Sequence, residues 1–198
     1  MNALNRLGAA IAVSSLSLAM LGCGGSGSSN KSFTPDNKAE IQTITATQAS
    51  TSISSLNISD YSLELCIKST GHKFIEDIVT LRCNNKGIQY LEGIEQLTNL
   101  KILHLSYNGI NDISPLVELK ELETLYLSGN EIQNLDSLSS LTKLTELGIE
   151  KNFVQDLSPL QSISSLKSLH THKNQINDFT ILNSLELSVL SGTNSQDS

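Results

Sequence analysis

The stretch Leu100 to Leu116 reads LKILHLSYNGINDISPL, and the placing of its large apolar residues decides how the rest of the chain is read. Leu100, Leu103, Leu105, Ile110, Ile113 and Leu116 follow neither the 3.6-residue period of a helix nor the alternation of a strand. A second copy begins 22 residues later, LETLYLSGNEIQNLDSL, with Leu122, Leu125, Leu127, Ile132, Leu135 and Leu138 in the same places. The spacing is that of a repeat, and a repeat is settled before single elements are assigned.

Five copies can be laid out in this register without insertion or deletion, starting at Ile78, Leu100, Leu122, Leu144 and Leu166. One column holds Leu81, Leu103, Leu125, Leu147 and Leu169, and the next apolar one Cys83, Leu105, Leu127, Ile149 and Thr171. A turn column holds Lys86, Asn108, Asn130, Asn152 and Asn174. A single copy cannot bury its own apolar face, whereas stacked copies turn each column into one stripe of a shared core. The L-x-L pair reads as a short strand with two side chains inward and its neighbours outward. The Asn reads as the turn, because its amide both donates and accepts and so satisfies backbone groups bending away from strand pairing. A loose helical or extended arm then returns to the next strand. The fold class expected is an α/β solenoid.

These columns resemble leucine-rich repeats of the 22-residue, internalin-like kind. The pattern L-x-x-L-x-L-x-x-N-x-I-x-D-I-x-P-L is visible in LKILHLSYNGINDISPL and LTELGIEKNFVQDLSPL, and the likeness covers residues 78–187. It implies a right-handed curved coil with short parallel strands on its concave face, used for protein recognition rather than chemistry.

The ends divide the remainder. Residues 1–22 carry one charge, Arg6, then an apolar run from Leu7 to Leu21, which is shorter than the roughly 18–20 residues a spanning helix needs and reads as a secretion signal. Its end, MLGC, resembles the bacterial lipobox, which implies cleavage after Gly22 and a lipid on Cys23; an ordinary secretory signal cut elsewhere is the alternative. Gly24 stands where an Asp would resemble an inner-membrane retention signal, so a lipid-anchored outer-membrane location is expected. Residues 23–51 are Gly-, Ser-, Asn- and Thr-rich, too poor in large apolar groups to fold, and read as a tether. Residues 52–77 form a cap for the open first coil. In it Ser59 or Asp60 caps a helix running to about Ser69, with Tyr61, Leu63, Leu65 and Ile67 as its apolar residues and Gly71 ending it. Residues 188–198 are left as a C-terminal tail, since Thr171 replaces an inward leucine and Ser188 stands where a sixth copy would start; Leu185, Leu187, Val189 and Leu190 are expected to fold over the final coil, and SGTNSQDS to form a frayed polar end.

With Cys23 lipidated, Cys66 in the cap and Cys83 in an inward column are the two cysteines left in an oxidising compartment. A Cys66–Cys83 disulfide is expected, with two free buried thiols as the alternative.

Function is expected in the outward strand residues. Arg82, His104 and Tyr126 share a column, with Tyr107 just past its strand, and Arg and aromatic residues are the usual anchors of protein interfaces. Glu146, Glu150, His170 and His172 complete the candidate binding face. His170, His172 and Glu150 also make a candidate zinc set by ligand type, although surface histidines two apart are common and no metal or cofactor is assigned. Motifs of nucleophile elbows, metalloproteases, C-x-x-C redox sites and phosphate loops are absent from the sequence, so an enzyme is not expected. The net charge of −7, made more negative by loss of Arg6, argues against nucleic acid as a partner. The expected partner is a protein, with a glycan as a further ligand class and the membrane met only through the lipid. A structural envelope spacer, or a self-associating protein without a dedicated ligand, is the alternative.

Overall fold

A computed structural model describes residues 50–192. The expectations for the signal, for Cys23 and for nearly all of the tether fall outside the described residues, as does the end of the tail.

Each repeat contributes one three-residue strand: β1 Thr80–Arg82, β2 Ile102–His104, β3 Thr124–Tyr126, β4 Glu146–Gly148, β5 Ser168–His170 and β6 Val189–Ser191. They form one parallel sheet in chain order, with Leu81, Leu103, Leu125, Leu147, Leu169 and Leu190 opposite one another. The first five of these leucines are buried, as are the rows Leu100, Leu122, Leu144, Leu166 and Ile88, Ile110, Ile132, Val154, Ile176. Register and core therefore have the same cause: a constant interval returns each apolar side chain to its own stripe.

β6 corrects the boundary drawn at 187. Ser168 pairs with Val189, a step of 21 rather than 22, so a strict register slides past the sixth copy and lands on Ser188. Shortened by one residue, the copy reads Leu187, Leu190, and Val189–Ser191 is strand rather than tail. Thr171 belongs to the same join. It is buried, and its hydroxyl lies 3.1 Å from both the Ser191 and Gly192 carbonyl oxygens, so a polar group meets the last coil where a leucine would leave those carbonyls without it.

The asparagine column ties neighbouring coils together. Asn130 Oδ1 accepts from the Ile110 N–H at 3.1 Å, while its Nδ2 donates to the carbonyls of Leu105 at 3.0 Å and Leu127 at 2.8 Å. Asn152 repeats this one coil on, with the Ile132 N–H and the carbonyls of Leu127 and Ile149, and Asn108 and Asn174 do so at the flanks. The return arms are single 3-10 turns, Ser114–Glu118, Asp136–Ser140, Ser158–Ser162 and Thr180–Ser184. Asp112, Asp156 and Asp178 each accept the N–H two residues ahead, which starts these turns and explains the Asp of the repeat pattern.

The cap contains α1, Tyr61–Lys68. Leu63, Cys66 and Ile67 are buried, but Tyr61 and Leu65 are exposed, because apolar residues two apart cannot share one face of a helix. The expected disulfide is present: Cys66 and Cys83 are bonded across a separation of 17 residues, with Cα atoms 5.9 Å apart. A loop of that length contributes about 3 kcal/mol by the chain-entropy account.

Asp60 joins cap to coil. One carboxylate oxygen accepts from the N–H groups of Ser62 and Leu63 at 2.8 and 3.0 Å, capping α1; the other accepts from Gln89 and Tyr90 at 2.8 and 3.2 Å in the first repeat. Burial on its own would raise the carboxyl pKa, but the four backbone donors outweigh it and hold the group below its ordinary 3.8. A depressed carboxylate pKa gives stability that is complete above the unfolded value and lost as pH falls through the folded one. Asp60→Asn should remove roughly 1.5–3 kcal/mol at pH 7, since its amide group would face donors with a donor. It should also flatten the acid limb of the stability curve, and urea titrations from pH 7 down to pH 3 check both; an unchanged acid limb would count against the bridge.

Candidate functional site

The parallel strands bring Arg82, His104 and Tyr126 side by side, as their shared column requires. Arg82 Nη1 lies 2.8 Å from Nε2 and 3.1 Å from Nδ1 of His104, and so meets whichever ring nitrogen lacks a proton. The His104 and Tyr126 rings meet edge to face, with centroids 4.8 Å apart. The Tyr126 hydroxyl donates to the Glu146 carboxylate, so the row runs as a continuous line of side-chain contacts over four strands.

The two rings in the middle of the row are tuned by their surroundings. Burial and the Arg82 charge hold His104 below its ordinary 6.5, against the opposing pull of Glu146, so the ring is neutral at pH 7 and free to accept from the guanidinium. Burial, then the bond to Glu146 and that carboxylate's charge, push the Tyr126 hydroxyl up to about 12, which keeps it a donor. Gly148 makes room for this arrangement: a Cβ there would stand 2.6 Å from Tyr126 Cδ1. The glycine that breaks the row of outward side chains is the floor on which Tyr126 lies.

Beyond the strand ends is a second feature. Asn85, Tyr107, Gly129, Lys151 and Lys173 occupy one column, immediately before the turn residue, and all have positive φ, from 54° at Asn85 and Lys151 to 71° at Gly129. Tyr107 is 55 % exposed and lies over Gly129, where a Cβ would meet its ring at 2.7 Å. The Lys151 ammonium sits 5.3 Å from the centre of the same ring. Tyr107, Tyr126, Ser106, Ser128, Glu150, Lys151, His172 and Lys173 line a hollow of about 390 Å³.

The structure thus brings Tyr107, Tyr126, Glu150 and His172 to one place. His170 is directed elsewhere, with Nδ1 2.7 Å from Ser191 Oγ and Nε2 3.1 Å from Ser168 Oγ. Glu150 accepts from the Ser128 hydroxyl. Among the described residues no cluster of three or more His, Cys, Asp or Glu is placed to hold a metal ion, and no helix is long and apolar enough to cross a membrane. Lys151 and Lys173 were not among the residues singled out from sequence. The signal was present as the glycine at 129, which marks a column whose backbone turns left-handed.

The sequence of residues 120–162 matches the family of leucine-rich repeats present in two copies. No curated protein matches the chain. Among solved structures the fold is similar to an internalin (inlF) from Listeria monocytogenes, with 29 % identity, coverage of 74 % of this chain and 46 % of that one, and a TM-score of 0.64. It is also similar to the functional domain of InlJ from Listeria monocytogenes, which includes a cysteine ladder, with 19 % identity, 73 % and 43 % coverage and a TM-score of 0.50. The chain thus spans less than half the length of either. Repeat pattern, strand register and solved structures converge on one fold: the described residues form a leucine-rich repeat solenoid similar to that of an internalin.

Proposed function

We propose that the protein is a non-enzymatic binding protein of the cell envelope, held to the outer membrane by a lipid on Cys23, whose strand face recognises a protein partner. The observation that carries this reading is the row Arg82–His104–Tyr126–Glu146, in which an arginine and two rings are held side by side by their own contacts across four strands. Such a row loses little side-chain freedom on binding, and arginine and tyrosine are the residues most often found as interface anchors. The leucine and asparagine columns are scaffold, so recognition has to come from what the strands present outward.

The test begins with crosslinking in intact cells and identification of the captured neighbour by mass spectrometry. Arg82→Ala, His104→Ala and Tyr126→Ala combined should then lose that neighbour at least tenfold, with a thermal transition close to that of the unaltered protein. Full retention of the neighbour would place recognition off the strand face. A self-associating or spacer role is favoured by a different observation at β6, the last strand among the described residues, where Val189 and Leu190 are 46 % and 39 % exposed. Light scattering of the mature chain separates the two readings, since only self-association raises the mass with concentration.

A further inference from the structure

The left-handed column contains residues that the fold does not ask for. At such a backbone conformation glycine carries no penalty and asparagine a small one, and those residues stand at Gly129 and Asn85. Tyr107, Lys151 and Lys173 hold the same conformation with φ of 59°, 54° and 59°, at a steric cost that the neighbouring coils show to be unnecessary. All three line a hollow that also has Tyr126 in its wall.

Charge bears on the same place. Before the strands, Lys101 pairs with Glu123 at 2.9 Å, Lys143 with Glu121 at 2.6 Å and Lys167 with Glu186 at 3.2 Å, whereas Lys120 donates to the Val117 carbonyl instead. Among the described residues Lys151 and Lys173 have no carboxylate within ion-pair distance. Lys151 is instead laid against the Tyr107 ring. The hollow's own acid, Glu150, is engaged by Ser128 and offsets one of the two ammonium groups, which leaves one positive charge over. His172 adds a ring nitrogen on the same wall, and the two tyrosines supply apolar surface beside the charge.

We propose that this hollow receives an acidic side chain of a protein partner: a carboxylate between Lys151, Lys173 and His172, with the adjoining apolar part of the peptide against Tyr107 and Tyr126. This rests on the strand face being the recognition surface and names the chemistry it selects. It also gives the strained column a purpose, since left-handed backbone brings lysines from successive coils to the same rim.

The test uses the full chain, isotope-labelled, and two probe peptides that differ in one group, Ac-Gly-Glu-Phe-Gly-amide and Ac-Gly-Gln-Phe-Gly-amide, followed by NMR. The glutamate peptide should give saturable shifts at Tyr107, Gly129, Lys151, His172 and Lys173, and the glutamine peptide should bind about tenfold more weakly, the usual size of a charge-assisted contact. The double variant Lys151→Gly, Lys173→Gly should abolish the difference between peptides while its melting temperature stays the same or rises, because glycine relieves both left-handed positions. A structural role for the lysines predicts the opposite, a fall in melting temperature. Equal binding of the two peptides, or no saturable shift at these residues, overturns the proposal. Partner capture tells the two readings apart. If the Lys double variant keeps the crosslinked neighbour while the Arg82, His104, Tyr126 variant loses it, the face binds but not through this carboxylate site; if both keep it, the face itself is the wrong surface.

Discussion

Asn130→Ala is expected to destabilise the solenoid by roughly 2–5 kcal/mol, from one orphaned buried N–H and two lost hydrogen bonds. The Ile110 N–H has Asn130 as its acceptor and would be left buried without a partner. The two carbonyls fare better: Leu105 O also accepts from Asn108, and Leu127 O also accepts from Asn152, so each keeps one of its bonds. The larger share of the loss therefore comes from the N–H. Asn130→Asp separates donor from acceptor, since the carboxylate can still accept from Ile110 but turns lone pairs toward two carbonyl oxygens, and it should cost at least as much near neutral pH. Urea denaturation of both variants checks this, and a loss below about 1 kcal/mol in Asn130→Ala would show that water or a relaxed backbone replaces the asparagine. Because each repeat contacts only its neighbours, a defect in the middle of the stack should also broaden the transition.

Gly93→Ala is the second large effect, and it acts on the cap. Gly93 has φ of +102°, and a Cβ there would stand 2.3 Å from the Asn57 carbonyl oxygen and 3.0 Å from Ile58 Cα, which are backbone atoms and cannot turn aside. The left-handed conformation and the forced displacement together should remove roughly 2–5 kcal/mol. Gly87→Ala is the matched control, with φ of +72° and nothing within 4 Å of its added Cβ. It should cost only the conformational part, about 1–2 kcal/mol. If the two variants lose the same amount, the approach of the cap to the first coil is looser than the contact distances describe. Hydrogen exchange across Ile53–Ser69 gives a second readout, since a displaced cap should open there while β3 and β4 keep their protection.

The corresponding position in other copies is Pro115, Ser137, Pro159 and Ile181, so nothing in the repeat itself asks for a glycine there. Its reason lies in a chain segment more than 30 residues earlier in sequence, Asn57–Ser59, which crosses the coil at that point, with the Ser59 N–H donating to the Glu92 carbonyl. Asp60 is a comparable case. As a helix cap it was readable from its place before α1, but its second oxygen serves Gln89 and Tyr90, which only the docked cap brings near.

What the sequence alone determined is everything that recurs: the parallel register, the leucine stripes, the asparagine bonds between coils and the face on which Arg82, His104 and Tyr126 lie. Those follow because a fixed interval gives every copy the same neighbours, so one copy's environment predicts the next. The tertiary structure decided whatever breaks that interval or joins unlike segments. It supplied a sixth strand behind a one-residue shortening, Thr171 bonded to the last coil, and the cap seated on Gly93. Such features depend on which atoms meet after the coils have stacked, and no period in the chain encodes them.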